Sequence, residues 1–271
     1  MKADRNLFRF PGTATIAALG LAFLYLPILT LLILSFNEND LITIWTGFST
    51  RWYQAVFTNS DMLAAARNSL IVAATATILG TAAATAATLG VARARAAWKA
   101  AVEGLLGLPI LVPEIVTAVA MLLLFVFVGF ELGLLTVIVA HTVFCIPFAY
   151  YPIRARLAGL DPALSEAAAD LYADPARRFL RIELPLLAPG IMAGAMLAFI
   201  SSLGDFVITY FVAGPGATTL PVYIFGMIRI GITPEVNALS AVMLLISILL
   251  ITAAFLLGRY SDKQSNKGKT S

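Results

Sequence analysis

Charge is what this sequence has least of: 12% of its 271 residues are Asp, Glu, Lys or Arg, about half the share found in a water-soluble domain. That scarcity excludes a soluble enzyme fold, in which apolar stripes are separated by charge. The single cysteine, Cys145, excludes an intramolecular disulfide and any cysteine-based metal cluster, and it leaves redox chemistry without support. Neither a His-Glu-x-x-His pair nor a Gly-x-Ser-x-Gly elbow is present, so an intramembrane enzyme has no signature here. The net charge of +3 is too small for a nucleic-acid surface. One Gly-Lys-Thr, Gly268 to Thr270, has Lys263 where a phosphate-binding loop needs glycine, and it lies in a terminal tail with no strand before it. No nucleotide, metal or other cofactor is therefore expected in the chain itself.

What remains is apolar: 60% of the residues are hydrophobic, with a mean hydropathy of +0.91. The uncharged runs are Thr13 to Phe36, Ser69 to Ala92, Gly104 to Phe130 with Glu114 inside it, Leu132 to Ile153, Ala188 to Ala213 with Asp205 inside it, and Val236 to Gly258. Each is long enough for a hydrocarbon layer of ~30 Å, and together they predict six membrane-spanning helices. The first run follows Lys2, Arg5 and Arg9 as a signal peptide would, but it is too long for a signal h-region and lacks a cleavage site, so it is read as a retained span. The second carries Ala76, Gly80, Ala84 and Thr88 at a spacing of four, which predicts close helix packing inside the bundle. Trp45, Trp52 and Tyr53 in the outer connection between the first two spans, Asn37 to Met62, suit the headgroup level or an external partner.

The basic residues fix the orientation. Of the 18 Lys and Arg, only Arg51, Arg67 and Arg229 fall on one side of the six spans. The other fifteen lie in the N-terminus, the second-to-third connection, the fourth-to-fifth connection and the tail. The positive-inside rule then places both termini in the cytoplasm. The polar end, from Ser261, reads as a frayed tail.

The one sizeable hydrophilic connection runs from Arg154 to Leu187 and contains Asp161-Pro162 and Asp174-Pro175. Each pair has the form of a helix start, an acidic N-cap followed by a proline that needs no backbone donor. Two short helices are expected, over roughly 162–171 and 175–183. Five basic residues balance five acidic ones across the stretch, which suits a protein contact surface; a merely solvated loop is the alternative.

Here the residues carry a resemblance. Glu166-Ala167-Ala168, Ala169-Asp170-Leu171-Tyr172-Ala173, then Ile182, Leu184, Pro185 and Pro189-Gly190 resemble the EAA loop of the membrane subunits of ABC importers, and Asn68-Ser69-Leu70 resembles the start of their permease domain. Downstream, Gly204-Asp205-Phe206, Gly214-Pro215-Gly216, Leu220-Pro221, Ile228 and Gly231 through Pro234 to Leu239 resemble the PotC-type permease family of spermidine/putrescine importers. The resemblance implies an all-α integral membrane bundle of the type I ABC importer permease fold in the bacterial inner (cytoplasmic) membrane. It divides the chain into a first helix and outer loop (1–61), a permease domain (62–257) whose coupling loop spans 154–187, and a cytoplasmic tail (258–271). Implied partners are a sibling permease subunit, an external substrate-binding protein and a cytoplasmic ATPase dimer that binds ATP and Mg. Glu166, Ala167, Ala168, Asp170, Tyr172 and Pro185 are the implied ATPase-coupling residues. Tyr172 stands where the pattern usually has glycine, so a positive φ there would be strained.

Ionisable residues inside a bilayer are costly and are functional candidates by default. Asp205 shares a helical face with Ser202 and Thr209, with Phe206 and Tyr210 nearby, and Glu114 follows Pro113 near mid-span. A substrate with two or more ammonium groups needs carboxylates and aromatic faces, and these six residues form the expected substrate path. Structural roles stay open: Asp205 could pair with Arg229 or Arg67, and Glu114 could bond neighbouring backbone. His141 and Cys145 are expected to be packing residues. Within the importer class the alternative cargo is another amine-bearing or small organic solute such as an opine, a phosphonate or an amino-acid derivative. A self-contained secondary carrier would require inverted repeats, and the two halves of this sequence show none.

Overall fold

The computed structural model describes residues 12–267 apart from 93, 162, 164–169, 171, 173 and 232, with side chains to residue 252. Among the described residues the regular structure is helical apart from one isolated bridge, Asn37 to Phe48. The helices are α1 (Thr13–Leu34), α2 (Arg51–Thr58), α3 (Ser60–Ala92), α4 (Ala96–Leu111), α5 (Glu114–Val128), α6 (Leu134–Ala158), α7 (Pro175–Arg178), α8 (Leu184–Gly204), α9 (Val207–Val212), α10 (Leu220–Ile230) and α11 (Pro234–Lys267). A π-helical turn, Phe179–Glu183, joins α7 to α8. The chain divides into two compact units, Met1–Asn59 with Gly226–Leu245 and Ser60–Phe225 with Ile246–Ser271.

Among the described residues, five helical segments are long and apolar enough to cross a membrane: Thr13–Leu34, Ser60–Ala92, Leu134–Ala158, Pro175–Gly204 and Pro234–Thr252. The third expected span, Gly104 to Phe130, differs from its prediction. It is two helices, α4 and α5, bent by 107°. Pro113 lies at the corner and Val112 is extended, because proline disfavours helical backbone in the residue before it. The fifth expected span is also interrupted: α8 ends at Gly204, Asp205 is extended with a ψ of 129°, and α9 begins at Val207. The anticipated second loop helix is shorter than its range, since only Pro175–Arg178 is α-helical before the π-turn. The first loop helix, with Glu166, Ala167 and Ala168, lies outside the described residues.

In the first unit, α1 runs into a tight loop built on Asn37, which is fully buried. Its side-chain amide donates to the carbonyls of Ile44 (2.9 Å) and Leu41 (3.3 Å). Its side-chain oxygen accepts from the backbone of Asn39 (3.2 Å), and Trp52 Nε1 donates to its carbonyl (2.7 Å). One residue therefore satisfies a turn that would otherwise leave backbone groups unpaired.

In the second unit, α3, α6 and α8 pack on one another, and α9 packs on α5 and α6. Ala76, Gly80, Ala84 and Thr88 are all buried, as their spacing predicts. A Cβ on Gly80 would lie 3.0 Å from Cys145 Cβ and 3.2 Å from the Thr142 carbonyl oxygen, so α3 and α6 approach as closely as a missing side chain permits. Asn68 Nδ2 donates to the carbonyls of Gly216 (2.9 Å) and Thr218 (3.0 Å), and the Leu220 amide donates to Ser69 Oγ (2.8 Å). The start of α3 thereby clamps the Gly-Pro-Gly loop. Gly214 in that loop lies against the backbone of Leu132, where any Cβ would collide.

Candidate functional site

Two of these helix breaks meet. The α4–α5 corner places Glu114 in the first turn of α5, and the α8–α9 break places Asp205 just before α9. The Glu114 carboxyl faces that of Asp205. Asp205 holds the start of α9: its carboxylate accepts from the Ile208 amide (3.2 Å), the Thr209 amide (2.9 Å) and Thr209 Oγ1 (3.0 Å). An acidic side chain suits the exposed N–H groups of a helix start.

Behind Asp205 stands His141 of α6, 1% exposed. Its Nε2 lies 3.1 Å from Asp205 Oδ2 and 2.9 Å from Thr209 Oγ1, and its Nδ1 lies 2.7 Å from Ser202 Oγ. Both ring nitrogens are engaged, so one imidazole ties α6 to α8 and to α9. Thr136 of α6 adds a second tie, donating to the Val212 carbonyl (2.7 Å). His141 is thus the hub of a polar network rather than a packing residue, which corrects the expectation from sequence. The partner of Asp205 is this histidine. Cys145, one turn on, is buried and its thiol donates to the Ala198 carbonyl (3.3 Å), closer to its expected role.

The structure brings all six path candidates together, five of them in two layers. Asp205, Ser202 and Thr209 are buried. In front, the Phe206 and Tyr210 rings lie 5.3 Å apart, and Phe225 joins them at 4.6 Å from Phe206 and 5.9 Å from Tyr210. Tyr210 is 46% exposed. The sixth, Glu114, is partly exposed and is the carboxyl nearer the surface. Phe225 and His141 are the residues sequence reasoning missed. A helix-face argument confined to one span had no route to either, because both arrive from other elements.

In the loop, Asp174 accepts from the amides of Ala176 (3.2 Å) and Arg177 (3.4 Å) and caps α7. Arg178 and Glu183 pair at 3.3 Å, the fifth-residue spacing that a π-turn brings onto one face. Asp170 and Pro185 are exposed. Tyr172 has φ 57°, the left-handed backbone that the glycine of the loop pattern would adopt without strain.

Several membrane-length helices, two broken spans around a buried polar network, and a hydrophilic connection before the second-last long span together define a membrane permease. Residues 76–267 match the family described as "Binding-protein-dependent transport system inner membrane component", and the chain belongs to that family, a multi-pass constituent of the bacterial inner membrane. It is 40% identical over 246 residues to the putrescine transport system permease protein PotI of Escherichia coli (strain K12), covering 87% of this chain and 86% of that one. It is 38% identical over 241 residues to the spermidine/putrescine transport system permease protein PotC of Haemophilus influenzae, covering 89% and 94%. Among solved structures, a bacterial ABC transporter involved in alginate import aligns with a TM-score of 0.71 at 16% identity over 92% of this chain and 93% of that one. The MetNI methionine ABC transporter aligns with a TM-score of 0.62 at 20% identity over 75% and 99%. The fold is that of type I ABC importer permeases.

Proposed function

We propose that this chain is the permease subunit of an ATP-driven importer of polyamines, spermidine or putrescine, and forms half of a path completed by a sibling permease. The observation that carries the substrate class is the facing of Glu114 and Asp205 beside the Phe206, Tyr210 and Phe225 rings. Two carboxyls in a weakly solvated place repel unless a proton or a cation lies between them. A linear polyamine supplies ammonium groups for the carboxyls, and its charge is attracted to ring faces, each contact contributing about 0.5–2 kcal/mol. Glu114, Phe206 and Tyr210 meet the substrate in this reading. Asp205, Ser202 and Thr209 stand behind them, holding the broken helix and lending negative field. The names of the relatives, permeases for putrescine or spermidine/putrescine, support the same cargo.

A separate ATPase dimer binds ATP and Mg and docks on the loop through Glu166, Ala167, Ala168, Asp170, Tyr172 and Pro185, and an external binding protein delivers the solute. Both termini lie in the cytoplasm, as the basic residues require. The test is putrescine uptake by the whole assembly in proteoliposomes carrying Glu114→Gln, at saturating binding protein. Losing one charge contact of about 1.4 kcal/mol raises the half-saturating concentration roughly tenfold. Wild-type uptake by an intact variant assembly would remove Glu114 from the path, and import of an opine or phosphonate in place of putrescine would overturn the substrate class.

A further inference from the structure

We propose that the loop following α1 is a lipid-interface anchor: Leu41, Ile44, Trp45 and Phe48 enter the boundary between headgroups and acyl chains and set the depth of α1 in the bilayer. The need for such an anchor comes from α1 itself. Its 22 residues extend about 33 Å at 1.5 Å each, enough for a hydrocarbon layer of ~30 Å. No residue of α1 is buried by the rest of the chain, and Thr13–Leu34 contains neither a charged residue nor a tryptophan. A uniformly apolar helix of this kind slides along the bilayer normal unless a group at its end prefers the interface.

The chain beyond α1 supplies that group. Residues 36–38 and 47–49 run alongside each other: the Glu38 amide donates to the Gly47 carbonyl (2.9 Å) and the Ser49 amide to the Phe36 carbonyl (2.7 Å). Ser35 Oγ lies 2.7 Å from the Tyr53 hydroxyl, and Phe36 stacks on Phe48 at 5.2 Å and meets Tyr53 at 5.0 Å. The loop is therefore a rigid continuation of the helix, and Phe48 sits beside a residue two positions past the end of α1. Its side chain is 71% exposed and that of Trp45 50%, with Leu41 and Ile44 of the same loop also exposed.

Exposed large apolar groups on a loop mark a membrane or protein contact. Continuity with α1 selects lipid: the helix leading to the patch is unburied along its whole length. The patch begins at the hydrocarbon edge, where a partner arriving from water would first have to displace lipid. The charges in the loop agree. Arg51 pairs with Asp40 (2.6 Å) and lies over the Trp52 ring at 4.3 Å, which leaves Glu38 without a balancing cation among residues 35–59. Such a loop is not drawn to anionic headgroups, so the attachment is apolar and indifferent to headgroup charge.

The experiment places a nitroxide at Phe48→Cys or at Trp45→Cys, each in a Cys145→Ala background, in the permease assembly in nanodiscs. Both side chains are exposed, so neither change opens the core. Collision with oxygen, which concentrates among acyl chains, is compared with collision with a water-soluble nickel chelate. Oxygen should exceed nickel about threefold or more at both positions, as for residues at a bilayer interface, and the ratio should be the same in zwitterionic and anionic lipid. Equal access at either position, or a ratio that rises with anionic lipid, would overturn the apolar anchor. Protection from nickel only after the external binding protein is added would assign the patch to that protein instead. Depth is read separately from a label at Ile33→Cys, near the end of α1. Adding Trp45→Ser and Phe48→Ser should change its oxygen-to-nickel ratio about twofold or more, and an unchanged ratio in an intact assembly would overturn the depth-setting role.

Discussion

Replacing Asp205 by alanine tests whether the buried polar network holds the broken helix together. The substitution removes the acceptor for two backbone amides at the start of α9, for Thr209 Oγ1 and for the His141 ring. Loss of a helix cap costs about 1 kcal/mol. Hydrogen bonds between membrane helices average near 0.6 kcal/mol, so the two side-chain contacts add about 1 kcal/mol as neutral bonds, and more if the histidine pair is ionic. Breaking a buried ion pair costs about 3–5 kcal/mol when the survivor is stranded. His141 is not stranded, since Ser202 Oγ stays at 2.7 Å from one nitrogen and Thr209 Oγ1 at 2.9 Å from the other. The expected loss is therefore about 2–4 kcal/mol, at the lower end if His141 is neutral. Asp205→Asn keeps one oxygen acceptor but turns an amide group toward the remaining donors, so about half of that loss is expected. The assay is equilibrium unfolding in mixed micelles, run as a double-mutant cycle with His141→Ala. Contacting residues show coupling of about 0.5–3 kcal/mol. A coupling of zero, or an alanine variant as stable as wild type, would refute the network as the structural tie between α6, α8 and α9.

Gly80→Val would force branched side-chain atoms between α3 and α6 where even a Cβ sits 3.0 Å from Cys145; overpacking of about 1–3 kcal/mol should lower the unfolding midpoint, and an unchanged midpoint would show that the two helices separate freely. For orientation, single cysteines at Asn39 and Ser265 in a Cys145→Ala background should be labelled by an impermeant reagent from opposite faces of the membrane. Labelling of both in intact cells would reverse the placement of one terminus.

The sequence by itself determined the class of protein, the extent of most spans, the buried face of the second span and the capped start of α7. Each follows from a local, one-dimensional rule: hydropathy over a bilayer thickness, small residues every fourth position, and an acidic cap before proline. Composition along a run does not reveal whether a run is straight, and here the tertiary structure decided otherwise twice. Pro113 turned the third run through 107°, and the fifth run ended at Gly204 with its continuation held by Asp205. Those two breaks bring Glu114 and Asp205 face to face although they lie in separate spans. The partners that give the site its character, His141 from α6 and Phe225 from α10, are joined to it only by the packing of separate helices. A lone histidine on an apolar stretch carries no label for its neighbours; burial in a medium that cannot supply hydrogen bonds forced it to find them within the protein.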